Sequence, residues 1–444
     1  MGILHKALSM LEAYVLCDHC LGRQFALLGH GIENDERGRA LKHTLVMKAH
    51  VLALSGNKKG VKILKVLATN GLSRTASEVL EKTEGHNQLE HGLNACFLCE
   101  NRFDSLNDLA GKSVTLLGDY EYNNFLVGIE LPVSVAERED EFRAKFEVDH
   151  GENLKNEFGR VIGKKIAESN SKPVEFRKPD VVVLVNPFTG QIELRSNPLF
   201  VTGRYRKLVR DIPQSKWFCS NCRGKGCEKC NWTGKMYPES VQEIIEEPFL
   251  RATDGTQASF HASGREDIDV RMLGNGRPFV LEITKPRRRF LDLRKLEKEV
   301  NRRGKGKVHV LGLKPADRAL LRELKRGETK QKEYRVLMEF EDKITTKDLR
   351  TLKERLTNAL ILQKTPLRVL HRRADLTREK YIYEVNVKKV SSNKAEMRIR
   401  CQGGLYVKEL VTGDGGRTAN SVSEILNNKA KPLRLDVLNV IMEE

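Results

Sequence analysis

The sequence predicts an α+β protein in which a helical, metal-binding region precedes a larger region built on sheet. Apolar and polar residues alternate with a period of two over 332–341 and 381–402, the pattern of half-buried strands. Helical periodicity instead covers 37–55 and 61–70 near the N-terminus. Eight of the nine cysteines form Cys-x-x-Cys pairs, which favours structural metal sites over disulfides in a chain without a secretion signal.

Length, charge and hydropathy narrow the class of protein. A chain of 444 residues can hold two to four domains, and 39% hydrophobic with 31% charged residues indicates a soluble globular protein. A formal charge of +18 points to a polyanionic partner, because Lys and Arg release counterions condensed on nucleic acid. No apolar run approaches the ~18 to 20 residues of a spanning helix, and no signal-peptide pattern opens the chain. We therefore expect no membrane partner and a cytoplasmic or nuclear location.

The first region, 1–112, is predicted to be helical and to bind zinc. A helix over 5–15 leads into the pair Cys17 and Cys20, and the pair Cys96 and Cys99 follows after 75 intervening residues. Two such distant pairs could close one tetrahedral site and tie the intervening helices together. His19 and His30 are also possible ligands, but we expect both to be exposed polar side chains.

The next region, 113–215, alternates strands with helices. Strands are predicted over 125–131, 180–186 and 191–196, with helices over 134–146 and 154–167. A further strand over 198–207 carries Arg204, Arg206 and Lys207 around Tyr205. These cations either grip a phosphate beside a stacking ring or form a solvated strand end.

A Cys-rich zinc element is predicted over 216–236. Four thiols lie within 12 positions, and Gly224 and Gly226 permit the tight turn that would bring them to one metal; the cysteines are Cys219, Cys222, Cys227 and Cys230. Redox use is less favoured, since no thioredoxin-like strand and helix surround the pairs. Cys219 and Cys222 could instead share a metal ion with the first pair, Cys17 and Cys20, so we expect one or two zinc ions. Cys401 is left over as a small core residue.

The stretch 260–289 is the candidate reactive centre. Ile268, Val270 and Met272 alternate with polar residues, which predicts a strand that begins after Gly264 and ends at a turn over 274–276. The acidic residues of this strand lie among arginines 265, 271 and 277, which would keep a nucleophilic carboxylate ionised. A surface hairpin with ordinary ion pairs fits the spacing equally well. Chemistry alone does not separate Asp267 from Asp269.

Basic residues are concentrated after this stretch. Residues 285–332 hold 18 Lys plus Arg against 6 Asp plus Glu, which favours RNA-backbone binding over a solvated face. Gly304 and Gly306 suggest a mobile loop. The candidate RNA contacts here are Arg287, Arg288, Arg289, Arg302 and Arg303.

The C-terminal part continues as strands and a helix. In the strand 332–341, Tyr334 is by default a core aromatic. Thr345 or Thr346 can cap a helix over 347–362, and 381–389 pairs with 396–402 as a hairpin. The glycines of 413–418 lack the P-loop arrangement, so no nucleotide site is predicted there.

Three motifs carry a resemblance to pseudouridine synthases. The run Gly264-Arg265-Glu266-Asp267 resembles their aspartate motif, Lys332-Glu-Tyr334 resembles their second motif, and Gly404-Leu-Tyr-Val-Lys408 resembles their third. The run through Arg289, the first two cysteine pairs and the segment 29–39 are similar to the tenth family, the archaeal and eukaryotic synthases acting on uridines 54 and 55 of tRNA. The order of elements over 113–210 is similar to a THUMP domain.

The resemblance implies a pseudouridine synthase catalytic domain of mixed, mainly antiparallel sheet over 237–444, after a THUMP-like RNA-binding domain over 113–215. It implies isomerisation of uridine in the tRNA T-loop with Asp267 as nucleophile, Tyr334 stacking on the base and acting in proton transfer, and Lys408 paired with Asp267. Arg265 is the arginine of the aspartate motif. Further RNA contacts are implied for Arg372, Arg373 and Tyr406. We expect tRNA as partner, no organic cofactor and a monomer.

Two other classes share part of these features. A non-catalytic zinc and THUMP RNA-binding protein would share the charge and the cysteines but would not need Asp267 with Lys408. A THUMP-bearing methyltransferase should carry a glycine-rich turn after a strand, and a thiolase a pyrophosphate loop. The sequence contains neither.

Overall fold

The computed structural model describes residues 2–84, 95–325 and 331–441. The chain divides into two compact units, Met1–Asn197 and Pro198–Glu444. None of the described helices is both long and apolar enough to cross a membrane.

Among its described residues, the first unit combines eight helices with a three-stranded sheet. Strand β1 pairs with β2 in parallel, and β2 pairs with β3 antiparallel. The helices predicted around the first two cysteine pairs are all present. The elements are α1 (Ile3–Ala13), α2 (Asp18–Gly22), α3 (Asn34–Leu54), α4 (Lys58–Thr69), α5 (Arg74–Glu84), α6 (Leu106–Leu117), β1 (Phe125–Ile129), α7 (Val133–Lys145), α8 (Leu154–Asn170), β2 (Val181–Val185) and β3 (Ile192–Ser196).

Apolar residues of α8 and β2 build the core of this unit. Phe158 and Ile162 on α8 are fully buried, as are Val181 and Val183 on β2. The two helical positions are four residues apart and share one face, while the two strand positions alternate toward the same face of the sheet. The helix and the sheet therefore pack by the periodicities that the sequence predicted.

In the part of the second unit that the structure describes, a nine-stranded sheet packs with six helices. Its elements are β4 (Leu199–Lys207), α9 (Val241–Thr253), β5 (Gln257–Ala262), β6 (Arg271–Thr284), α10 (Leu293–Gly304), β7 (Val308–Ala316), α11 (Arg318–Lys325), β8 (Gln331–Phe340), α12 (Thr346–Leu356), β9 (Ala359–Lys364), β10 (Thr377–Lys389), β11 (Lys394–Gln402), α13 (Val407–Thr412), α14 (Val422–Leu426) and β12 (Ala430–Val440). The order is β7-β4-β6-β12-β8-β11-β10-β9, with β5 also on β6.

Strand β6 organises this sheet. β4 lies along one edge of β6, while β12 and β5 share the other edge, β12 beside 271–276 and β5 beside 279–284. The pairing of β12 with β6 is parallel, and the other pairs in the described part of the sheet are antiparallel. The predicted mixed, mainly antiparallel sheet is confirmed. The connection 263–270 leaves β5 beside Phe279 and returns to the start of β6.

The strand predicted between Gly264 and the turn at 274–276 is wrong in its first part. Residues 263–270 form a loop, and β6 begins only at Arg271. Val270 and Met272 are nevertheless both buried, as the alternation predicts. The predicted turn over 274–276 is instead an irregular part of β6, where Gly274 and Gly276 have φ values of 52° and 74°. A Cβ on Gly274 would lie 1.9 Å from the Leu438 carbonyl oxygen, so the close approach of β12 requires glycine here.

Two further predictions need correction. Strand β4, which the sequence grouped with 113–215, pairs with β6 and β7 in the sheet of the second unit. The helix predicted over 347–362 ends at Leu356, because Asn358 takes a left-handed conformation (φ 55°) and β9 follows. Its N-terminus is as predicted: Thr345 and Asp348 form a capping box.

The basic segment 285–325 is more ordered than predicted. It contains α10, β7 and α11, and the expected mobile loop is the tight connection at Lys305 and Gly306 between α10 and β7. Helix α11 buries Leu321 and Leu324 and exposes Arg318 and Arg322. Apolar residues at helical spacing thus dock this helix on the sheet, and its cations face solvent.

Candidate active site

A buried carboxylate anchors the loop 263–270, called the aspartate loop below. Glu266 is 5% exposed and accepts hydrogen bonds from the Tyr205 hydroxyl at 2.9 Å and from Arg277 Nε at 2.8 Å. Arg277 also donates to the Ser263 carbonyl at 2.7 Å. Burial opposes the charge of Arg277, but the Glu266 carboxylate outweighs burial and raises the Arg277 pKa. The motif residue before Asp267 therefore fixes the loop from inside the core.

A buried lysine holds the backbone of the candidate nucleophile and of the residue after it. The Lys207 ammonium donates to the carbonyls of Ile212, Asp267 and Ile268 at 2.9, 3.1 and 3.0 Å. Burial lowers the Lys207 pKa to about 8. The cations predicted around Tyr205 are thus internal braces: Arg204 and Arg206 likewise donate to β6 carbonyls, such as that of Gly274 at 2.6 Å from Arg206.

A second cluster braces the end of the aspartate loop. Asp436 on β12 accepts hydrogen bonds from Arg210 at 2.6 Å and from Arg271 and Arg335 at 2.9 Å. Burial alone would raise the Asp436 pKa, but the arginine hydrogen bonds outweigh it and lower the pKa to about 2. Arg210 also donates to the Asp269 carbonyl at 2.6 Å, which links this cluster to the loop.

Two cations approach the Asp267 carboxylate, and both come from outside the aspartate motif. Lys408 Nζ lies 3.3 Å from Asp267 Oδ2, so the expected ion pair is present. Arg368 Nη1 lies 3.0 Å from the same oxygen. The local sequence predicts this role for arginines 265, 271 and 277, but Arg271 pairs with Asp436 and Arg277 with Glu266. The two cations described at Asp267, Arg368 and Lys408, therefore come from segments that are distant in sequence.

Lys408 bridges the two aspartates that chemistry could not separate. Its ammonium lies 2.8 Å from both carboxylate oxygens of Asp269. Burial would raise the Asp269 pKa, but the Lys408 hydrogen bond and charge outweigh burial and lower it. Asp269 has the closer contact with Lys408, while Asp267 has two cationic partners. The arrangement keeps both carboxylates in one charged cluster.

Asp267 and Lys408 lie in the wall of a cavity of about 760 Å³. That volume is in the range of small-molecule sites, ~300 to 1,000 Å³. Tyr334 also lines the cavity, and burial raises its pKa, so the phenol stays neutral at physiological pH. The neighbouring Lys332 has a pKa lowered by burial to about 8. The face of β8 predicted to be apolar is confirmed by buried Val336, Met338 and Phe340.

The predicted RNA-binding residues divide into two groups. Tyr406 and Arg373 line the cavity, and Arg373 Nη1 donates to the Tyr406 hydroxyl at 2.8 Å. The side chain of Arg372 lies outside the described residues. The other five do not line the cavity: Arg287, Arg288 and Arg289 follow the far end of the 14-residue β6, while Arg302 and Arg303 end α10 and pair with Glu299 and Glu247.

Several cavity residues were missed by the sequence analysis. They are Trp217, Lys325, Lys332, Arg368, Arg378 and Lys380. Arg368 lies in the short 3₁₀ helix Leu367–Arg372. In the segment 363–375 around this helix, the sequence predicts RNA contacts only for Arg372 and Arg373. Nothing in the periodicity of that segment distinguishes Arg368 from its neighbours. The contact with Asp267 spans about a hundred residues of sequence and is visible only in the fold.

The cysteines form two separate groups of four. Cys17, Cys20, Cys96 and Cys99 make up one group, and Cys219, Cys222, Cys227 and Cys230 the other; in each, all sulfurs lie within 4.8 Å of one another. A metal site shared by Cys219 and Cys222 with Cys17 and Cys20 is therefore excluded. Cys401 is fully buried in the core of the second unit, as predicted.

The sulfur spacings fit a tetrahedral thiolate site. Sulfurs 2.3 Å from a central zinc ion lie about 3.8 Å apart. The observed distances are 3.6 Å from Cys17 to Cys99 and 3.8 Å from Cys222 to Cys230. His19 was a possible ligand, but its Nδ1 lies 2.7 Å from Glu157 Oε1 and its ring stacks on Phe103. His19 is also less exposed than predicted, at 24% of its side chain.

Family models match two parts of the chain. A family model described as "Pus10, C-terminal" matches residues 200–441, and one described as "Pus10 THUMP domain, archaeal" matches residues 109–186. The tRNA pseudouridine synthase Pus10 of Methanocaldococcus jannaschii is 46% identical over 442 residues, covering 97% of this chain and 93% of that protein. The Methanothrix thermoacetophila protein of the same name is 39% identical, covering 99% and 94%.

Solved structures show a weaker likeness. A Cbf5-Nop10-Gar1 complex matches 54% of this chain and 48% of its own at 16% identity, with a TM-score of 0.30. A pseudouridylate synthase crystal structure matches 56% and 66% at 12% identity, with a TM-score of 0.20. At TM-scores this low, neither likeness bears on the fold.

Proposed function

Since the chain belongs to the Pus10 family of tRNA pseudouridine synthases, we propose that it isomerises uridine 54, uridine 55 or both in the tRNA T-loop. The bond between ribose C1′ and uracil N1 breaks, and a bond between C1′ and uracil C5 forms. The proton on C5 is lost and N1 gains one, so atoms balance without a redox partner. The chemistry requires no organic cofactor.

In this proposal Asp267 acts on the nucleoside, by attack or by another form of activation. The observation that carries the proposal is the pair of contacts from Lys408 and Arg368 to Asp267 Oδ2 at the wall of the cavity. The two cations hold the carboxylate oxygen at the cavity wall, and a carboxylate is one of the side chains that can form a covalent intermediate. Asp267 is favoured over Asp269 because it follows Arg265 and Glu266 in the family motif and lines the cavity.

Tyr334 is proposed to stack on the uracil and to take part in proton transfer. It lines the same cavity as Asp267, and its neutral phenol can donate or accept a hydrogen bond. The target uridine must leave its stack to enter, which costs a few kcal/mol. Stacking on Tyr334 and contacts from Arg265, Arg373 and Tyr406 at the cavity would offset that cost.

The remaining basic residues are proposed to bind the tRNA backbone outside the cavity. Arginines 287–289 and 302–303 are assigned this role by charge, together with Arg372. Each four-cysteine group is proposed to hold one structural zinc ion, which would tie its segment together without entering the reaction. We propose that the protein acts on tRNA as a monomer in the cytoplasm.

The test uses tRNA transcript tritiated at uracil C5 and incubated with protein without added cofactor. Wild-type protein should release tritium, Asp267→Ala should release none while still binding tRNA, and Asp269→Asn should retain activity. Mapping the product decides between positions 54 and 55. If wild-type protein binds tRNA tightly and releases no tritium, an RNA-binding function replaces the enzymatic one. Loss in Asp269→Asn with activity in Asp267→Ala would reverse the assignment of the nucleophile.

A further inference from the structure

The Cys-rich segment 216–236, called the cysteine finger below, contributes a side chain to the active-site cavity. Trp217 lines the cavity together with Arg265 and Asp267. The Arg265 guanidinium carbon lies 4.9 Å from the centroid of the Trp217 ring, a cation–π geometry. Tyr237 packs edge-on against the same ring at 5.5 Å. Trp217 is therefore held between a residue of the aspartate loop and the end of the finger.

The backbone of the finger fixes the position of Trp217. The Met236 amide donates to the Trp217 carbonyl at 2.9 Å, and the Cys219 amide donates to the Gly234 carbonyl at 2.8 Å. The Gly234 amide in turn approaches the Cys230 sulfur at 3.3 Å. Trp217 thus lies beside the isolated antiparallel bridge between Phe218 and Lys235, and the second side of that bridge comes shortly after the last cysteine. These hydrogen bonds therefore connect the four-cysteine group to the backbone at Trp217.

We propose that the cysteine finger positions Arg265 at the catalytic cavity through Trp217, which makes Trp217 a positioning residue for the reaction. The proposal rests on the function given above. Arg265 is two residues from Asp267, so the direction of its guanidinium matters at the point where the target uridine enters. Stacking on Trp217 limits the guanidinium to one side of the cavity before RNA binds.

The finger also carries the matched control. The chain has two tryptophans, and both lie in the finger: Trp217 at the cavity and Trp232, which is 73% exposed and does not line the cavity. Replacing Trp232 removes an equal aromatic mass from the same finger. If replacing Trp217 has an effect that replacing Trp232 does not have, that effect is due to the position of Trp217 at the cavity.

The first test measures tritium release in single turnovers at saturating tRNA. Trp217→Leu should lower the rate about 10-fold, while Trp217→Phe should recover most of it because phenylalanine keeps a face for Arg265. Trp232→Leu should match wild type. Zinc content checks that each finger is closed. Wild-type rates in Trp217→Leu would overturn the proposal, and so would equal losses in the leucine variants at 217 and 232.

The second test uses tryptophan fluorescence to detect the contact between Trp217 and Arg265, independently of catalysis. In a Trp232→Phe background, Trp217 is the single tryptophan, so its fluorescence reports its own surroundings. Arg265→Ala should change the emission, as should removal of zinc with a chelator. Unchanged emission in Arg265→Ala would overturn the proposed contact even in an active enzyme. If instead wild-type protein releases no tritium while the emission still responds to Arg265→Ala, the positioning holds and the proposed reaction fails.

Discussion

Arg368 Nη1 lies 3.0 Å from Asp267 Oδ2, and Nε of the same guanidinium donates to Glu409 Oε1 at 2.6 Å. Arg368 thus joins the candidate nucleophile to a carboxylate on α13. Burial opposes the charge of Arg368, but Glu409 and Asp267 outweigh it and raise its pKa. Glu409 is 5% exposed, and its Oε2 has no hydrogen-bond partner among the described residues, so it depends on Arg368 for compensation.

Arg368→Gln should lower the single-turnover rate of tritium release at saturating tRNA by about 10-fold or more, equivalent to roughly 1.4 kcal/mol. Asp267 would lose the Arg368 contact and keep the Lys408 contact, and the carboxylate of Glu409 would lose its ion pair with Arg368. Arg434→Gln removes the same charge from an exposed position on β12 and should behave as wild type. Equal rates in the two variants would show that the Arg368 contact does not serve catalysis.

Glu266→Gln should destabilise the second unit by roughly 3 kcal/mol, because it leaves the Arg277 charge buried without its partner. Urea denaturation measures the change in the free energy of unfolding. Adding Arg277→Met to Glu266→Gln should restore part of the stability, since both charges are then absent. A double variant no more stable than the single one would mean that Glu266 acts mainly through Tyr205.

Asp436 predicts a pH dependence of stability. Its pKa is lowered from 3.8 to about 2, so the folded state binds this proton more weakly than the unfolded chain. The contribution is therefore complete above about pH 4 and is lost as the pH falls through about 2, a change of about 2 kcal/mol. Urea denaturation of wild type and Asp436→Asn from pH 6 to pH 2 should show their stability difference shrinking over that window. A difference that does not vary with pH would argue against the prediction.

Two zinc ions per chain are expected after purification, one in each four-cysteine group. Cys20→Ser and Cys227→Ser should each retain one ion, and removal of zinc with a chelator should lower the melting temperature. Cys401→Ala, in the core, should retain two. Metal analysis by mass spectrometry after gel filtration measures the content. One ion in wild-type protein would mean that one of the groups is a set of free thiols.

Arg373 and Arg302 should differ in their contribution to tRNA affinity. Arg373 lines the cavity, whereas Arg302 is already paired with Glu299 at 2.8 Å. Arg373→Gln should therefore weaken tRNA binding more than Arg302→Gln, and each lost phosphate contact should reduce the slope of log affinity against log salt by about 0.7 to 0.9. Filter binding over a salt series provides both quantities. A larger effect from Arg302→Gln would place the main RNA contact on α10.

The sequence by itself determined those features whose physics is local. Strand and helix periodicities predicted most elements, because alternation and the 3.6-residue repeat reflect burial on one face. Cys-x-x-Cys spacing predicted both metal-binding groups, since two residues between ligands already fit one tetrahedron. Resemblance of short motifs indicated Asp267, Tyr334 and Lys408, and the structure brings these three residues to one cavity.

Tertiary structure decided the ion pairs that motif resemblance did not indicate. Arg277 pairs with Glu266 inside the core and Arg271 pairs with Asp436, while Arg368 reaches Asp267 from a distant segment. The aspartate loop likewise replaced a predicted strand, because hydrogen bonds from the buried Lys207 hold its backbone out of the ladder. Ion pairs depend on distance in space and carry no sequence periodicity, so only the folded chain can specify them.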